Sequence, residues 1–314
     1  MIPVALVRQY AAGQQIDYEV ADQEVVLHYA LALLVESGLV GQRAPGDPPG
    51  PLLFKGGTAL RKCVFGSTGR FSQDIDLDAS AENGYEAAIE GAFGQSTPYH
   101  GIAFSIPRFR YSAEGNFSGT VEYEHDARAG AFELQISYRL DPILAGRELR
   151  LQRQGYFDRV EVGVPLLFGL DPYEMIGEKI MACNRRVGGS GKDVYDLYLW
   201  AGRPFSHDLV RKLAVLKAWT DRREHPRYEP DNFLGLIQRG SFRWTDLQGL
   251  VPRRLEQDAN RICATVRERF AFLRDCSDDE QTLLSDQTSH REHRLFARLR
   301  EEAQALAAGV QRRD

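Results

Sequence analysis

Between residues 72 and 78 the chain reads Ser72-Gln73-Asp74-Ile75-Asp76-Leu77-Asp78, with aspartates strictly alternating with apolar side chains. A β-strand sends successive side chains to opposite faces, so this spacing predicts a strand with Ile75 and Leu77 in a core and all three aspartates on the other side. Three like charges on one strand face repel unless a metal ion or a cationic side chain offsets them. Upstream stands Phe54-Lys55-Gly56-Gly57-Thr58-Ala59-Leu60-Arg61. Leu52-Leu53-Phe54 is a short apolar run after the Gly- and Pro-rich stretch from Gly41 to Pro51, as expected of a buried strand behind a loop, and 58–65 has a helical pattern. A glycine pair between strand and helix lets the backbone approach a phosphate, and the start of the helix offers unpaired N–H groups and partial positive charge. Two carboxylates at spacing two on a strand can hold one or two magnesium ions shared with substrate phosphates. Either half alone is weak, since Gly-Gly commonly marks a turn and D-x-D commonly a solvated strand edge. Their combination is much more specific than either half.

Around this segment, Val25, Val26, Tyr29, Leu33 and Leu34 recur at helical spacing within 22–37 and stop at Gly38, predicting an amphipathic helix. A second helix is expected over 85–93. Residues 102–111, 119–124 and 131–139 are strand-like, with Phe132, Leu134 and Ile136 alternating against Glu133, Gln135 and Ser137, and they suggest an antiparallel meander. Residues 1–165 therefore read as an α+β domain, a short mixed sheet packed on helices. From Asp171-Pro172 onward helices dominate. Asp171 is placed as N-cap, Pro172 at the first helical position and Glu174 at the third; that helix runs to about Val187, breaks at Gly188-Gly189-Ser190-Gly191 and resumes over 193–200. Further helices are expected over 206–219, 253–274 and 289–308. Residues 166–314 read as a helical C-terminal domain that completes the active-site cleft.

With 314 residues, 43% hydrophobic and 26% charged, the chain can bury a substantial core. Its net charge of -5 and pI near 5.9 argue against coating nucleic acid by bulk charge. Arg185-Arg186, Arg203, Arg211-Lys212, Arg222-Arg223 and Arg253-Arg254 read either as ordinary solvated helix faces or as a local basic surface. No apolar run reaches membrane-spanning length, and Met1-Ile2-Pro3-Val4 does not open a secretory signal, so no membrane and a cytoplasmic location are expected. Cys63, Cys183, Cys263 and Cys276 are scattered with no C-x-x-C pair, which indicates neither a zinc site nor a disulfide framework and suggests reduced thiols. The histidines form no H-x-x-x-H and no G-x-S-x-G is present, which leaves zinc and serine-hydrolase chemistry without support. Tyr195, Tyr198 and Trp200 sit beside apolar neighbours and read as core, with stacking on an RNA base as the alternative.

The stretches K-G-G-T-A-L-R-K, R-F-S-Q-D-I-D-L-D, A-F-E-L-Q-I-S-Y-R and E-K-I-M-A-C-N-R-R followed by K-D-V-Y-D-L span roughly residues 53 to 200. They resemble the AbiEii/AbiGii group of nucleotidyltransferase toxins, which includes the MenT toxins, within the DNA polymerase β-like nucleotidyltransferase superfamily. The resemblance implies that Gly56, Gly57 and Thr58 bind phosphate and that Asp74 and Asp76 hold Mg2+, with Mn2+ as a substitute. It implies that Lys179 contacts nucleotide, that Asp193 belongs to the site, and that Ser72 lies beside the metal ligands as a phosphorylation target. Relatives usually carry arginine where Lys192 stands. They tend to carry an acid where Gln135 stands and lysine where Glu133 stands; Glu133, on the same face two residues away, is the candidate replacement for the missing acid. From the residues alone, Lys179 reads equally as a lysine covering its helix, sharing a face with Met175 and Arg186, and Asp193 as the N-cap of the next helix.

The expected reaction is attack by an acceptor hydroxyl on the α-phosphate of a nucleoside triphosphate, with release of pyrophosphate. The resemblance implies a toxin of a toxin–antitoxin or phage-defence pair, with a cognate antitoxin as partner. For the MenT relatives the acceptor is the 3′ end of tRNA, and translation would stop. Two alternatives stand beside this: nucleotidylation of a protein or small molecule, and a non-catalytic module that binds a nucleotide or an antitoxin.

Overall fold

In a computed structural model, residues 2–79, 84–111, 116–138, 142–185, 188–221 and 227–311 are described. Arg139, Arg186, Arg222 and Arg223, which figured in the sequence analysis, lie outside these residues, as does Val187. The chain forms two compact units. The first comprises Met1–Asp141, Gly146–Leu170 and Gly249–Leu255, and the second Pro142–Ala145, Asp171–Gln248 and Glu256–Asp314.

The first unit is α+β. Its described elements are α1 (Val4–Gln14), α2 (Tyr18–Glu36), β1 (Leu52–Lys55), α3 (Gly56–Ala59), a π-helical turn (Leu60–Phe65), β2 (Asp74–Ala79), α4 (Glu86–Phe93), β3 (Ala103–Tyr111), β4 (Phe117–His125), β5 (Arg128–Tyr138), β6 (Arg147–Leu149) and β7 (Leu167–Gly169). The strands make one mixed sheet in the order β3-β4-β5-β2-β1-β7-β6. The expected meander is present, as β3 pairs antiparallel with β4 and β4 with β5. The sheet reaches further than the sequence suggested because β5 also pairs in parallel with β2, joining the meander to the aspartate strand.

Alternation sorts the sheet into two faces. Ile75 and Leu77 of β2, Phe132, Leu134 and Ile136 of β5, and Phe117 and Val121 of β4 are buried, while the residues between them carry polar side chains to the other face. The helix expected over 22–37 begins four residues earlier, at Tyr18, and it is not amphipathic. Every residue from Ala21 to Val35 is buried, including Asp22, Gln23, Glu24 and His28. Asp22, Gln23 and Glu24 each meet polar partners and the His28 ring packs on Tyr156 and Phe157, so the helix lies within the unit rather than on its surface.

The second unit is helical. It contains α5 (Pro172–Arg185), α6 (Gly191–Ala201), α7 (His207–Thr220), α8 (Pro230–Arg239), α9 (Ala259–Arg269), α10 (Asp278–Ser285) and α11 (His293–Gln311). Leu209, Leu213, Leu216, Trp219, Leu283, Leu299 and Ala303 share its core with Ile143 and Leu144 from the short loop that belongs to this unit. Asp171 caps α5, its Oδ1 accepting from Tyr173 N–H at 2.8 Å. Glu174 is not a capping acid: fully buried, it accepts from the Ile143 and Leu144 N–H groups at 3.0 and 2.8 Å and pairs with Lys217 at 2.7 Å. The helix expected from residue 253 starts only at Ala259, capped by Asp258, because 249–255 belongs to the first unit, where Leu250 O accepts from Phe71 N–H at 2.7 Å. No described helix is long and apolar enough to cross a membrane.

Candidate active site

The strand-turn-helix from β1 to α3 and the strand β2 lie against each other, since β1 pairs antiparallel with β2 and sets Lys55 opposite Asp76. At Gly56 the backbone takes φ +78°, open to glycine at no steric cost. A Cβ there would also fall 2.1 Å from Asp76 Oδ2, so the turn fits only by letting the backbone touch that carboxylate. At Gly57 a Cβ would stand 2.6 Å from Arg70 Nη2 and 3.1 Å from Ser72 Oγ. Gly56, Gly57, Arg70, Ser72 and Asp76 thus converge, with Arg70 and Ser72 both buried. Arg70 opens the stretch that contains the aspartates, and its spacing from Asp74 gives no hint that its guanidinium folds back over Gly57.

Thr58 is fully buried, and its hydroxyl donates to the Asp74 carbonyl. It therefore locks α3 to the aspartate strand and leaves only its backbone N–H for a phosphate. Behind the turn, Lys62 is buried against Glu24 at 2.9 Å, and the Arg61 guanidinium lies 4.2 Å from the Phe71 ring centroid.

The three aspartates of β2 share a face, as the alternation predicts, but their surroundings differ. Asp74 and Asp76 are half-buried, whereas Asp78 is buried in an ion pair with Lys55, Nζ to Oδ1 3.3 Å. The cation that offsets the innermost aspartate is thus a side chain. In the parallel ladder Glu133 stands opposite Asp74 and Gln135 opposite Asp76. Glu133 is exposed and accepts a hydrogen bond from Thr120 Oγ1 at 2.6 Å.

In the second unit the Lys179 ammonium on α5 is held by Asp193 at 2.7 Å and Asp196 at 3.0 Å on α6. The N-cap of α6 is Ser190, whose Oγ accepts from Lys192 N–H, so Asp193 is an ion-pair partner rather than a cap. Met175 is buried. Tyr195 and Trp200 are core residues, as expected, whereas Tyr198 is half-buried. The cations read as a possible basic surface are largely neutralised: Arg185 pairs with Asp221 at 2.6 Å, Arg211 with Glu280 at 2.9 Å and Lys212 with Glu302 at 2.7 Å.

The family model for the nucleotidyl transferase AbiEii toxin of type IV toxin–antitoxin systems matches residues 44–300. The chain belongs to this AbiEii family. It is accordingly a nucleotidyltransferase toxin of the type IV toxin–antitoxin class, acting on a nucleoside triphosphate. Among solved structures it is similar to MenT4, a nucleotidyltransferase toxin from Mycobacterium tuberculosis H37Rv, with 26% identity and a TM-score of 0.76 over 98% of this chain and 99% of that one. A second match, JHP933 from Helicobacter pylori, has 16% identity and a TM-score of 0.48 over 86% of this chain and 98% of that one. No curated protein matches the sequence. The residues matched to the AbiEii family include both halves of the motif and the Lys179 cluster, while α1 and α2 lie before them.

Proposed function

We propose that this AbiEii enzyme transfers a nucleoside monophosphate to the 3′ end of tRNA in a magnesium-dependent reaction that stops translation, with Asp74 and Asp76 as metal ligands. The observation that carries the reading is the meeting of the motif's two halves: the Asp76 carboxylate touches the Gly56 backbone where the phosphate-binding turn begins.

The donor set suits the ion. Asp74 and Asp76 offer hard oxygen ligands on one face, appropriate to Mg2+ or Mn2+. Among the described residues no three His, Cys, Asp or Glu side chains are gathered to hold a metal, so the remaining ligands would be triphosphate and water oxygens, as magnesium commonly takes. When bound, the ion neutralises charge on the α-phosphate and aligns the attacking hydroxyl. Gly56, Gly57 and Thr58 offer backbone N–H groups to the phosphates, and Arg70 and Ser72, beside Gly57, extend that cradle. Glu133, across from Asp74, is the candidate replacement for the acid missing at Gln135, and would add negative charge beside the ion rather than a third protein ligand. In the second unit, Lys179, held by Asp193 and Asp196, is the cation proposed to contact nucleotide.

A polynucleotide acceptor is favoured by the exposed face that bears Asp74 and Asp76, which continues across β5 and β4 to Arg108 and Arg110 on β3. A cognate antitoxin would restrain the enzyme in the cytoplasm. The test is incubation with total tRNA, magnesium and each α-labelled triphosphate, with Asp74→Ala and Asp76→Ala as controls. Label on tRNA that both variants abolish supports the reading. Label on protein or on a small molecule replaces the acceptor, and no label with any triphosphate overturns the transfer reaction.

A further inference from the structure

Three consecutive polar residues, Asp22, Gln23 and Glu24, are buried in α2, and each reaches a different part of the first unit. Asp22 accepts from the Tyr123 hydroxyl at 3.3 Å and pairs with His125 Nε2 at 3.2 Å on β4. Glu24 holds Lys62 in the π-helical turn after Thr58. Gln23 carries no charge, and its Nε2 donates only to backbone: to Gln73 O at 3.3 Å and to Ala131 O at 3.1 Å. Its Oε1 accepts from Gln73 Nε2 at 3.3 Å, so both ends of the carboxamide are used.

The two carbonyls are significant for where they lie. Gln73 O belongs to the peptide leading into Asp74, and Ala131 is two residues before Glu133. β2 and β5 run parallel, and Asp74 opposite Glu133 is the first pair of their ladder. One side chain therefore grips both strands just before the first carboxylate pair. Only a group with two N–H donors on one nitrogen can serve two acceptors in this way, which is what a carboxamide supplies.

We propose that Gln23 is the positioning residue of the metal site, holding the starts of β2 and β5 at the separation that presents the Asp74 carboxylate. The proposal rests on the assignment of Asp74 and Asp76 to the metal. Asp76 lies deeper in the ladder and is braced by the Gly56 turn, so the loss of Gln23 acts mainly through Asp74. Groups that orient a metal ligand without touching the metal typically change affinity by about 10–100-fold when removed.

The experiment measures Mn2+ binding by calorimetry and the metal dependence of nucleotide transfer in Gln23→Met, which keeps the length and loses the donors. Gln23→Asn, whose amide is one methylene too short to span both carbonyls, is measured as the better-folding companion. Asp22→Asn, which disturbs β4 alone, is the structural control. The expected result is a rise of about tenfold in half-saturating Mn2+ for both Gln23 variants, with transfer partly recovered at high metal, and wild-type metal affinity in Asp22→Asn despite a lower melting temperature. Backbone amide exchange over 73–76 and 131–135 should also quicken in the Gln23 variants. Wild-type metal affinity together with unchanged exchange overturns the proposal. If the wild-type chain itself binds no metal, the reading of the carboxylates fails instead, and the exchange rates at the two strand starts decide separately whether Gln23 holds them.

Discussion

Lys55 and Asp78 form a buried ion pair at the inner end of the aspartate strand, with Nζ 3.3 Å from Oδ1. The pair takes Asp78 out of competition for the metal and leaves Asp74 and Asp76 as the accessible carboxylates. Removing one member of a buried pair leaves the other charge uncompensated, a loss of about 3–5 kcal/mol. Lys55→Met should therefore lower unfolding stability by about that amount, and Lys55→Met with Asp78→Leu should recover most of it, read by urea denaturation. Asp78→Asn should keep wild-type metal affinity; an increase in half-saturation as large as that of Asp74→Asn would make Asp78 a ligand.

Gly56→Ala tests the contact between turn and carboxylate. The substitution places a methyl where Asp76 Oδ2 now lies and forces a side chain onto φ +78°, a conformation costing roughly 1–2 kcal/mol. The cheapest relaxation moves the Asp76 carboxylate, and a displacement of this order commonly costs about 100-fold in rate. We expect transfer to fall by about that factor while the melting temperature drops by only a few degrees. A variant with wild-type turnover would mean that Asp76 does not act from its observed position.

Lys179 stands between Asp193 and the buried Asp196, and two explanations of its role make opposite predictions. Lys179→Met should destabilise the second unit and abolish transfer under either. The double variant Lys179→Met, Asp196→Asn removes most of the repulsion and should restore the fold, seen in the thermal transition. If Lys179 contacts nucleotide, transfer stays absent; recovered transfer would assign the lysine a purely structural part.

The aspartate strand, the glycine turn and the meander were legible because each rests on local periodicity or on a residue with special backbone freedom. The α+β class followed from them. What escaped was set by tertiary partners. Val25, Tyr29 and Leu33 mark one helical face, but nothing in that pattern shows that Asp22, Gln23 and Glu24 on other faces are also buried, because their partners lie as far away in sequence as Ala131 and His125. Arg70 and Lys55 escaped for the same reason, each being defined by what folds over it. The strands Arg147–Leu149 and Leu167–Gly169 are too short to carry a period of two. Two further helices carry local signals of their own: Pro230–Arg239 has proline at its start and Gly240 at its end, and Asp278–Ser285 opens with a Ser277/Glu280 capping box.

His28 gives the fold a pH dependence of definite sign. Burial, with the Lys62 ammonium nearby, lowers its pKa from 6.5 to about 3. Between those values the unfolded chain binds a proton that the folded chain excludes. Stability is therefore complete above pH 6.5 and falls as pH drops toward 3, by at most about 1.4 kcal/mol per pH unit. The ring stacks on Phe157 with centroids 4.9 Å apart, so His28→Phe keeps the packing and removes the titration. Urea midpoints measured from pH 7 to 4 should decline less steeply in the variant; parallel slopes would assign the acid sensitivity to other groups.

The face that carries the carboxylates also bears on the acceptor. Across the sheet, one row runs Asp74, Glu133, Thr120, Arg108 and the next Asp76, Gln135, Ser118, Arg110. Three strand spacings separate each aspartate from its arginine, about 14 Å, a span that two or three nucleotides of an extended strand can bridge. Both arginines are exposed, and the acidic side chains of β4, Glu122 and Glu124, fall on rows beyond Asp74, away from Arg110. A phosphate backbone approaching the site along these rows would meet two guanidiniums, hydroxyls and an amide, and would have to pass the Glu133 carboxylate, which Thr120 hydrogen-bonds. Arg108→Glu with Arg110→Glu should raise KM for tRNA about tenfold or more, leave KM for the triphosphate unchanged, and reduce the slope of log affinity against log salt by about 0.7 for each lost phosphate contact. An unchanged salt slope with an unchanged KM would direct the acceptor away from this face and restore weight to a protein or small-molecule acceptor that needs no such track.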